Sequence, residues 1–235
     1  MSEATLTPSA SPKIKADAYF FDIDGTLMVS RDLVHWHAMH QAMLEVYGLD
    51  ANFDGIPYHG KTDVAILRMA LTRRGISDSA FYDKLPSALA VIRREVSINV
   101  AGFKPDVCAS VPKLLGEIRG LDKLLGVASG NLENIGWHKL TAAGIRHFFT
   151  CGSFGDGFEL RVGIFDHAVS TAKSRLGSSA SVCFFGDTPD DIDAARMVNA
   201  QIVAVGTGIF SVAELARFKP DLCCKSCAEM LGRLW

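Results

Sequence analysis

The stretch Ala18-Tyr19-Phe20-Phe21-Asp22-Ile23-Asp24-Gly25-Thr26-Leu27 decides how this chain folds. Four apolar residues in a row, with no polar alternation, read as a short strand buried on both faces, the habit of a parallel sheet. The run then stops at an acid. Asp22 and Asp24 lie two residues apart near a strand end and can point toward one spot, while Gly25 lets the backbone turn tightly beside them. Two carboxylates held together raise one another's pKa and destabilise a fold unless a cation joins them. A strand-ending Asx turn would need only one acid.

Working outward, similar apolar runs recur at Leu124 to Ala128, His147 to Thr150, Val182 to Phe185 and Gln201 to Val205. Each is followed by Gly, Ser or Asp and then by a helical pattern. Strands alternating with helices at this spacing predict right-handed crossovers and an α/β fold, an open, doubly wound parallel sheet. Ligands bind such sheets outside the carboxyl ends of the strands, where Asp22, Ser129 and Asp187 would converge. From Met28 to about Asp106 the alternation breaks. Helical periodicity appears in His37–Tyr47, Asp63–Arg73 and Ser79–Ser97 with no convincing strand, which predicts a helical insert. Residues 1 to about 15, rich in Ser, Thr, Pro and Ala, read as a flexible tail.

The chain has 235 residues, enough for one large domain or a core with an inserted module. Hydrophobic residues at 49% and charged residues at 21% are ordinary for a globular protein and exclude disorder or fibrous repeats. A net charge of −2 offers no overall basic surface for a nucleic acid backbone. With no apolar run approaching the ~20 residues that span a bilayer, and no leader pattern, the expected location is cytoplasmic, without a membrane partner. The six cysteines read as reduced core residues. Cys223, Cys224 and Cys227 resemble half a zinc site, but no second pair at ligand spacing follows, so a buried strand end is the better reading. His37 and His40 could share a helix face, yet exposed or core histidines are the commoner case.

A second acidic cluster, Gly186-Asp187-Thr188-Pro189-Asp190-Asp191-Ile192-Asp193, again follows an apolar strand. Pro189 suits a first helical turn and acids there answer the helix dipole. Capping needs one acid, however, and this cluster holds four. A nearby cation is the fuller account, with Asp187 as direct ligand and Asp191, one turn on, holding a metal-bound water. Oxygen donors of this kind suit Mg²⁺, which would also cancel repulsion between an attacking carboxylate and a phosphate dianion. Ser129-Gly130-Asn131, at the end of the strand Leu124 to Ala128, offers a hydroxyl and turn N–H groups to phosphate oxygens.

Together these three motifs, D-x-D-G-T, a strand-terminal Ser and G-D-x-x-x-D, resemble the haloacid dehalogenase-like hydrolases in kind and order. Ala128-Ser129-Gly130-Asn131-Leu132-Glu133, followed by Lys139-Leu140 and Ala143-Gly144, is similar to the phosphoglycolate phosphatase-like branch. The resemblance implies a Rossmann-like core, a doubly wound parallel sheet of residues 16–28 and 107–235, with a helical cap at 29–106. It implies a Mg²⁺-dependent phosphatase acting on a small phosphorylated metabolite, with Asp22 as nucleophile and Asp24 as acid–base. Asp24 would add its backbone carbonyl to the metal set of Asp22, Asp187 and Asp191. Because dehalogenase members lack the second acid, Asp24 favours phosphate esters. Ser129, Gly130 and Asn131 would hold the phosphate. The Gly60-Lys61-Thr62-Asp63 stretch resembles a cap loop that brings Lys61 and Thr62 to the substrate's non-reacting part.

One motif departs from the family: no Lys-Pro pair stands between residues 150 and 180. Arg161, after Gly155-Asp156-Gly157 in a loop-like stretch, is the favoured substitute over Lys173, because a forked guanidinium holds phosphate and carboxylate together. Gly55 to Thr62 also satisfies the P-loop pattern, but no apolar strand precedes it and Pro, Tyr and His fill the loop. Two other readings share the aspartates: a phosphomutase of the phosphoglucomutase-like branch, and a protein that binds phosphate or a partner without catalysis.

Overall fold

The computed structural model describes residues 13–235. Most of the expected tail lies outside the described residues. Its last residues are tied down: Ile14 bridges Leu234, and the Lys13 and Lys15 ammonium groups lie 5.3 and 5.6 Å from the centre of the Trp235 ring.

Six parallel strands form the main sheet. In chain order they are β1 (Ala18–Phe21), β4 (Leu124–Ala128), β5 (Cys151–Ser153), β6 (Val182–Gly186), β7 (Gln201–Val205) and β8 (Leu222–Cys224), arranged β5-β4-β1-β6-β7-β8. The expected doubly wound α/β class is the observed one. Side chains of β1 alternate between two packed layers. Tyr19 and Phe21 enter the cluster with Phe185 and Leu125, whereas Ala18 and Phe20 enter the cluster with Phe165 and Phe184. Stacked rings fill both layers, with Phe21–Phe185 centroids 4.4 Å apart and Phe165–Phe184 3.9 Å apart. Gly126 on β4 is compulsory, since a Cβ there would come within 2.3 Å of the Phe20 ring. Flanking helices are α4 (Val111–Gly120), α5 (Glu133–Ala142), α6 (Arg161–Leu176), α7 (Pro189–Met197) and α8 (Val212–Ala216).

The fold corrects two expectations. His147 to Thr150 is no strand: Arg146–Phe148 form a 3-10 turn, and the strand is Cys151–Ser153. The apolar run is explained by burial of Phe149, which meets Phe21 edge-on at 6.4 Å. The small residues of β5 leave room for Phe154, whose ring lies 2.3 Å from where a Cβ on Gly152 would stand. A two-stranded antiparallel ladder, β2 (Met28–Ser30) with β3 (Pro105–Val107), was also unforeseen. Three-residue strands carry too few positions for alternation to show.

Between β2 and β3 stand α1 (Val34–Tyr47), α2 (Asp63–Thr72) and α3 (Asp78–Ile98), each close to its expected span. The Thr62 and Ser77 hydroxyls accept from the backbones of Ala65 and Ala80 and so cap α2 and α3. These helices share a core that includes Met39, Met43, Leu67, Leu71, Phe81 and Ile92, and Leu132 and Ile135 at the start of α5 also pack into it. The P-loop look-alike lies between α1 and α2 with no strand before it, so it lacks the support a phosphate loop requires. Cys223 and Cys224 belong to β8 and all cysteines are free. No helix among the described residues is long and apolar enough to cross a membrane.

Candidate active site

Strand order reverses at β1 and β6, because the chain leaves β1 toward β4 and leaves β6 toward β7. A crevice opens at such a switch point, and Asp22 and Asp187 directly follow the two strands. A cavity of about 380 Å³ begins there. It is lined from the sheet edge by Asp22, Asp24, Ser129, Gly130, Asn131, Arg161 and Asp187, and from the helical insert by Lys61 among others. Sequence reasoning therefore brought together most of its candidates. Thr62 and Asp191 do not reach the cavity surface.

Asp22 is anchored by its own turn. Its N–H donates to the Phe185 carbonyl at 2.9 Å, and its Oδ1 accepts from the Ile23 N–H at 2.7 Å. Oδ2 faces Arg161, whose Nη2 lies 2.5 Å from it and 2.5 Å from Asp191 Oδ1. Arg161 Nε also donates to Asp191 Oδ1 at 2.8 Å. Arg161 starts α6 and is buried, while Lys173 stands exposed farther along that helix. The guanidinium therefore reaches the site and the ammonium does not line it.

Asp24 has a separate cation. Lys139 Nζ donates to its Oδ2 at 2.7 Å and to Asn131 Oδ1 at 2.9 Å. Asn131 Nδ2 donates to Asp24 Oδ2 and to Ser129 Oγ, both at 2.8 Å. Asn131 is thus engaged at both ends and holds the cluster together. Burial alone would raise the Asp24 pKa, but Lys139 and Asn131 overcome it and hold the carboxyl below its ordinary range. Asp22 behaves oppositely: burial pushes it up to about 6, with Asp191 and Asp24 adding repulsion against the pull of Arg161. Asp187 is raised well above the usual range by burial and by Asp191 and Asp22.

The carboxylates of Asp22, Asp187 and Asp191 lie within 4.8 Å of one another. Three buried acids facing one arginine carry more negative charge than that partner cancels, and their donors are hard oxygens. That donor set fits a divalent cation. Asp187 accepts from Thr26 Oγ1 at 3.2 Å and is crowded by Gly25 and Gly208; a Cβ on either glycine would overlap its carboxylate. Gly25 also has φ +85, which few other residues tolerate. Both oxygens of Asp191 are occupied, Oδ1 by Arg161 and Oδ2 by the N–H and hydroxyl of Thr188 in a capping box. The helix-capping role is therefore real for Asp191, alongside its hold on Arg161. Asp190 pairs with Lys61 at 2.5 Å, and Asp193 with Arg196.

The insert closes on the sheet edge through backbone contacts and ion pairs, the latter including Lys61 with Asp190, Arg68 with Glu159 and Arg93 with Asp156. Asp63 N–H donates to the Gly130 carbonyl at 2.9 Å, and a Cβ on Gly130 would strike the Lys61 carbonyl at 2.4 Å. Thr62 is fully buried, donating to the Glu159 carbonyl while capping α2, so it supports the loop and does not face the cavity. The sequence reading missed several residues. Lys139 was noted only as part of a resemblance; a lysine amid helical periodicity gives no sign that it points inward. Thr207 and Gly208, after β7, line the cavity, and Thr207 Oγ1 donates to the Gly25 carbonyl at 2.5 Å. His35 reaches Asp63 at 3.0 Å, and His40 pairs with Asp50.

The model of the haloacid dehalogenase-like hydrolase family matches residues 16–199. The chain belongs to that family. Among solved structures, this hydrolase is similar to CbbY from Rhodobacter sphaeroides in complex with phosphate, at 18% identity and TM-score 0.68, covering 92% of this chain and 96% of that one. It is also similar to a predicted phosphoglycolate phosphatase from Haemophilus somnus 129PT, at 18% identity and TM-score 0.61, with 92% and 96% covered. A variant of the Rhodobacter protein was solved with xylulose-(1,5)bisphosphate and matches at 17% identity, TM-score 0.67, over 91% and 96% of the two chains. At these identities the likeness speaks for the hydrolase's fold. No curated protein matches the chain.

Proposed function

We propose that this hydrolase is a Mg²⁺-dependent phosphatase acting on a small phosphorylated metabolite. One observation carries the reading: Asp22 and Asp24 stand two residues apart and each has its own buried cation, Arg161 and Lys139. A single anionic nucleophile needs one counterion. Two buried cations at the sheet-edge end of a cavity suit a dianion that must approach two carboxylates. Solved relatives bound to phosphate or a sugar bisphosphate are in keeping with this reading.

In the proposed reaction an Asp22 carboxylate oxygen attacks phosphorus as the ester P–O bond breaks. The leaving oxygen takes a proton from Asp24. Asp24 then removes a proton from water, which attacks phosphorus and releases Asp22 and inorganic phosphate. A phosphate arriving beside Asp24 competes for Lys139, and any loosening of that pair raises the carboxyl's hold on a proton, the direction a general acid requires. Arg161 keeps Asp22 oriented and meets the equatorial oxygens. Ser129, whose oxygen accepts from Asn131, has its own proton to donate to the phosphate. Asp22 and Asp187 would hold the magnesium with the Asp24 carbonyl, and Asp191 would act on it only indirectly. The ion would screen the dianion from Asp22. Residues 29–106 act as a cap in this reading, with Lys61 near the substrate's far end.

Turnover of 4-nitrophenyl phosphate with Mg²⁺, and its loss on chelation, tests the class. Asp22→Asn keeps the side-chain shape and removes the nucleophile, so turnover should fall on the order of 10³-fold or more with circular dichroism unchanged. Retained turnover in that variant overturns the mechanism.

A further inference from the structure

The lining that the helical insert contributes to the cavity differs in chemistry from the sheet edge. Trp36 from α1 forms part of it, with its ring 4.8 Å from Phe53 and 4.9 Å, edge-on, from Tyr58. Tyr58 in turn lies 4.2 Å from His59. Met39 and Ile66 complete the apolar surface. At the mouth, Tyr58 is 37% exposed and Ile209 58% exposed, large apolar groups left facing water on the rim of a pocket. Trp36 also packs against the insert's own core, so its orientation is fixed before anything binds.

Charge on this wall tells the same story. Among the described residues lining the cavity, every lysine and arginine already has a carboxylate: Arg161 has Asp22, Lys139 has Asp24 and Lys61 has Asp190. The first two are needed by the transferred phosphate. His35 is held by Asp63, and burial pushes the His59 imidazole below its ordinary pKa, toward the neutral form. Asp32 adds a carboxylate to the lining, its oxygens accepting from the backbones of Val34 and Lys104. A carboxylate or second phosphate on the leaving group would lose water there and meet Asp32 without an unpaired cation.

We infer that the preferred substrate is a phosphate monoester whose leaving group carries an uncharged ring that packs on Trp36, and that esters bearing a carboxylate or a second phosphate are disfavoured. This deepens the phosphatase reading and rests on it. A flat neutral ring gains apolar burial and ring–ring contact at Trp36 and Tyr58, which together amount to about tenfold or more in affinity over a small ester lacking the ring.

The test compares benzyl phosphate with 2-phosphoglycolate, both esters of primary alcohols, so that the pocket is read ahead of the leaving group. Adenosine 5′-monophosphate supplies a larger neutral ring, and fructose 1,6-bisphosphate supplies the second phosphate. With the full chain and saturating Mg²⁺, kcat/KM for benzyl phosphate should exceed that for 2-phosphoglycolate by about tenfold or more. Trp36→Ala should raise KM for the ring esters about tenfold and leave 2-phosphoglycolate within about twofold, with Trp36→Phe retaining most of the preference. Preference for 2-phosphoglycolate or the bisphosphate, or an equal loss on all esters in Trp36→Ala, overturns the inference. Binding is read separately, by isothermal titration calorimetry of Asp22→Asn with benzyl phosphate and with 2-phosphoglycolate. If no ester turns over yet benzyl phosphate binds more tightly and Trp36→Ala in that background weakens it, the phosphatase reading falls while the ring site stands. If benzyl phosphate binds no better than 2-phosphoglycolate, the ring site falls.

Discussion

The carboxyl edge of the sheet and the helical insert above it line one cavity by different physics. At the sheet edge, position comes from the backbone: β1 and β6 end side by side, and the residues after them, Asp22 and Asp187, have little freedom in where they point. Their electrostatics are costly and depend on ion pairs buried with them. The insert packs an apolar core that also takes in Leu132 and Ile135 after β4, and it meets the edge through polar contacts such as Asp63 N–H to Gly130, Lys61 to Asp190 and Arg93 to Asp156. Rigid strand ends suit chemistry that must be placed to fractions of an ångström, and an inserted module can vary its lining without disturbing them.

If that contrast holds, damage to the edge should cost rate and damage to the insert should cost selectivity. After the nucleophile itself, the largest effect should come from Arg161. Removing a buried charge that touches both Asp22 and Asp191 should lower kcat by about 10²-fold or more under saturating Mg²⁺, while Lys173→Ala, on an exposed stretch of α6, should stay within about twofold. The reverse ranking would move the missing motif cation to Lys173. Lys139→Met should come next, with kcat lowered about tenfold or more and the pH–rate profile displaced upward, because Asp24 would lose the partner that holds its carboxyl low. An unchanged profile would make Lys139 a packing residue only.

A third experiment probes the edge without substrate. Asp22 holds its proton in the folded state up to about 6, whereas its ordinary value is 3.8. Between those values the folded chain binds a proton that the unfolded chain has released, so stability should fall as pH rises through that window. The effect should be on the order of 1–3 kcal/mol in metal-free protein, read as a lower melting temperature at pH 7 than at pH 5. Mg²⁺ should restore part of the loss at pH 7, and Asp187→Asn should weaken that restoration. Identical Mg²⁺ stabilisation in the variant would remove Asp187 from the ligand set.

The same contrast explains what could be read before the structure. Apolar runs ending in Asp22, Ser129 and Asp187 announce themselves because strand burial and a following polar residue leave a local pattern. The edge cations do not share that advantage. Arg161 could be found by asking what answers the charge of Asp22, but Lys139 sits mid-helix in α5, and only the three-dimensional path of that helix turns it toward Asp24. Trp36 and Tyr58 are similarly silent, since an aromatic beside helical periodicity is ordinarily core, and Trp36 is in part just that. The β2–β3 ladder and the turn at Arg146–Phe148 escaped for a simpler reason: three residues are too few for a period to show.

Lys61 should give the smallest effect and the finest test. It lies on the insert's loop, and its pair with Asp190 is the ionic link between that loop and the helix that follows β6. Both side chains are about a third exposed, at 38% and 34%, so solvent screens the pair and its contribution to stability should be about 0.2–1 kcal/mol. Lys61→Met keeps the apolar stem and deletes the charge. The melting temperature should therefore move by about 3 °C or less. If the loop serves only to close the insert on the edge, KM should rise several-fold equally for every ester, because closure is common to all. If Lys61 instead reaches the far end of the substrate, the rise should be confined to esters with polar leaving groups, and those with an uncharged ring should be spared. Measuring KM for benzyl phosphate and glycerol 3-phosphate in the one variant decides between them, and no change in either would place Lys61 outside the cap's action.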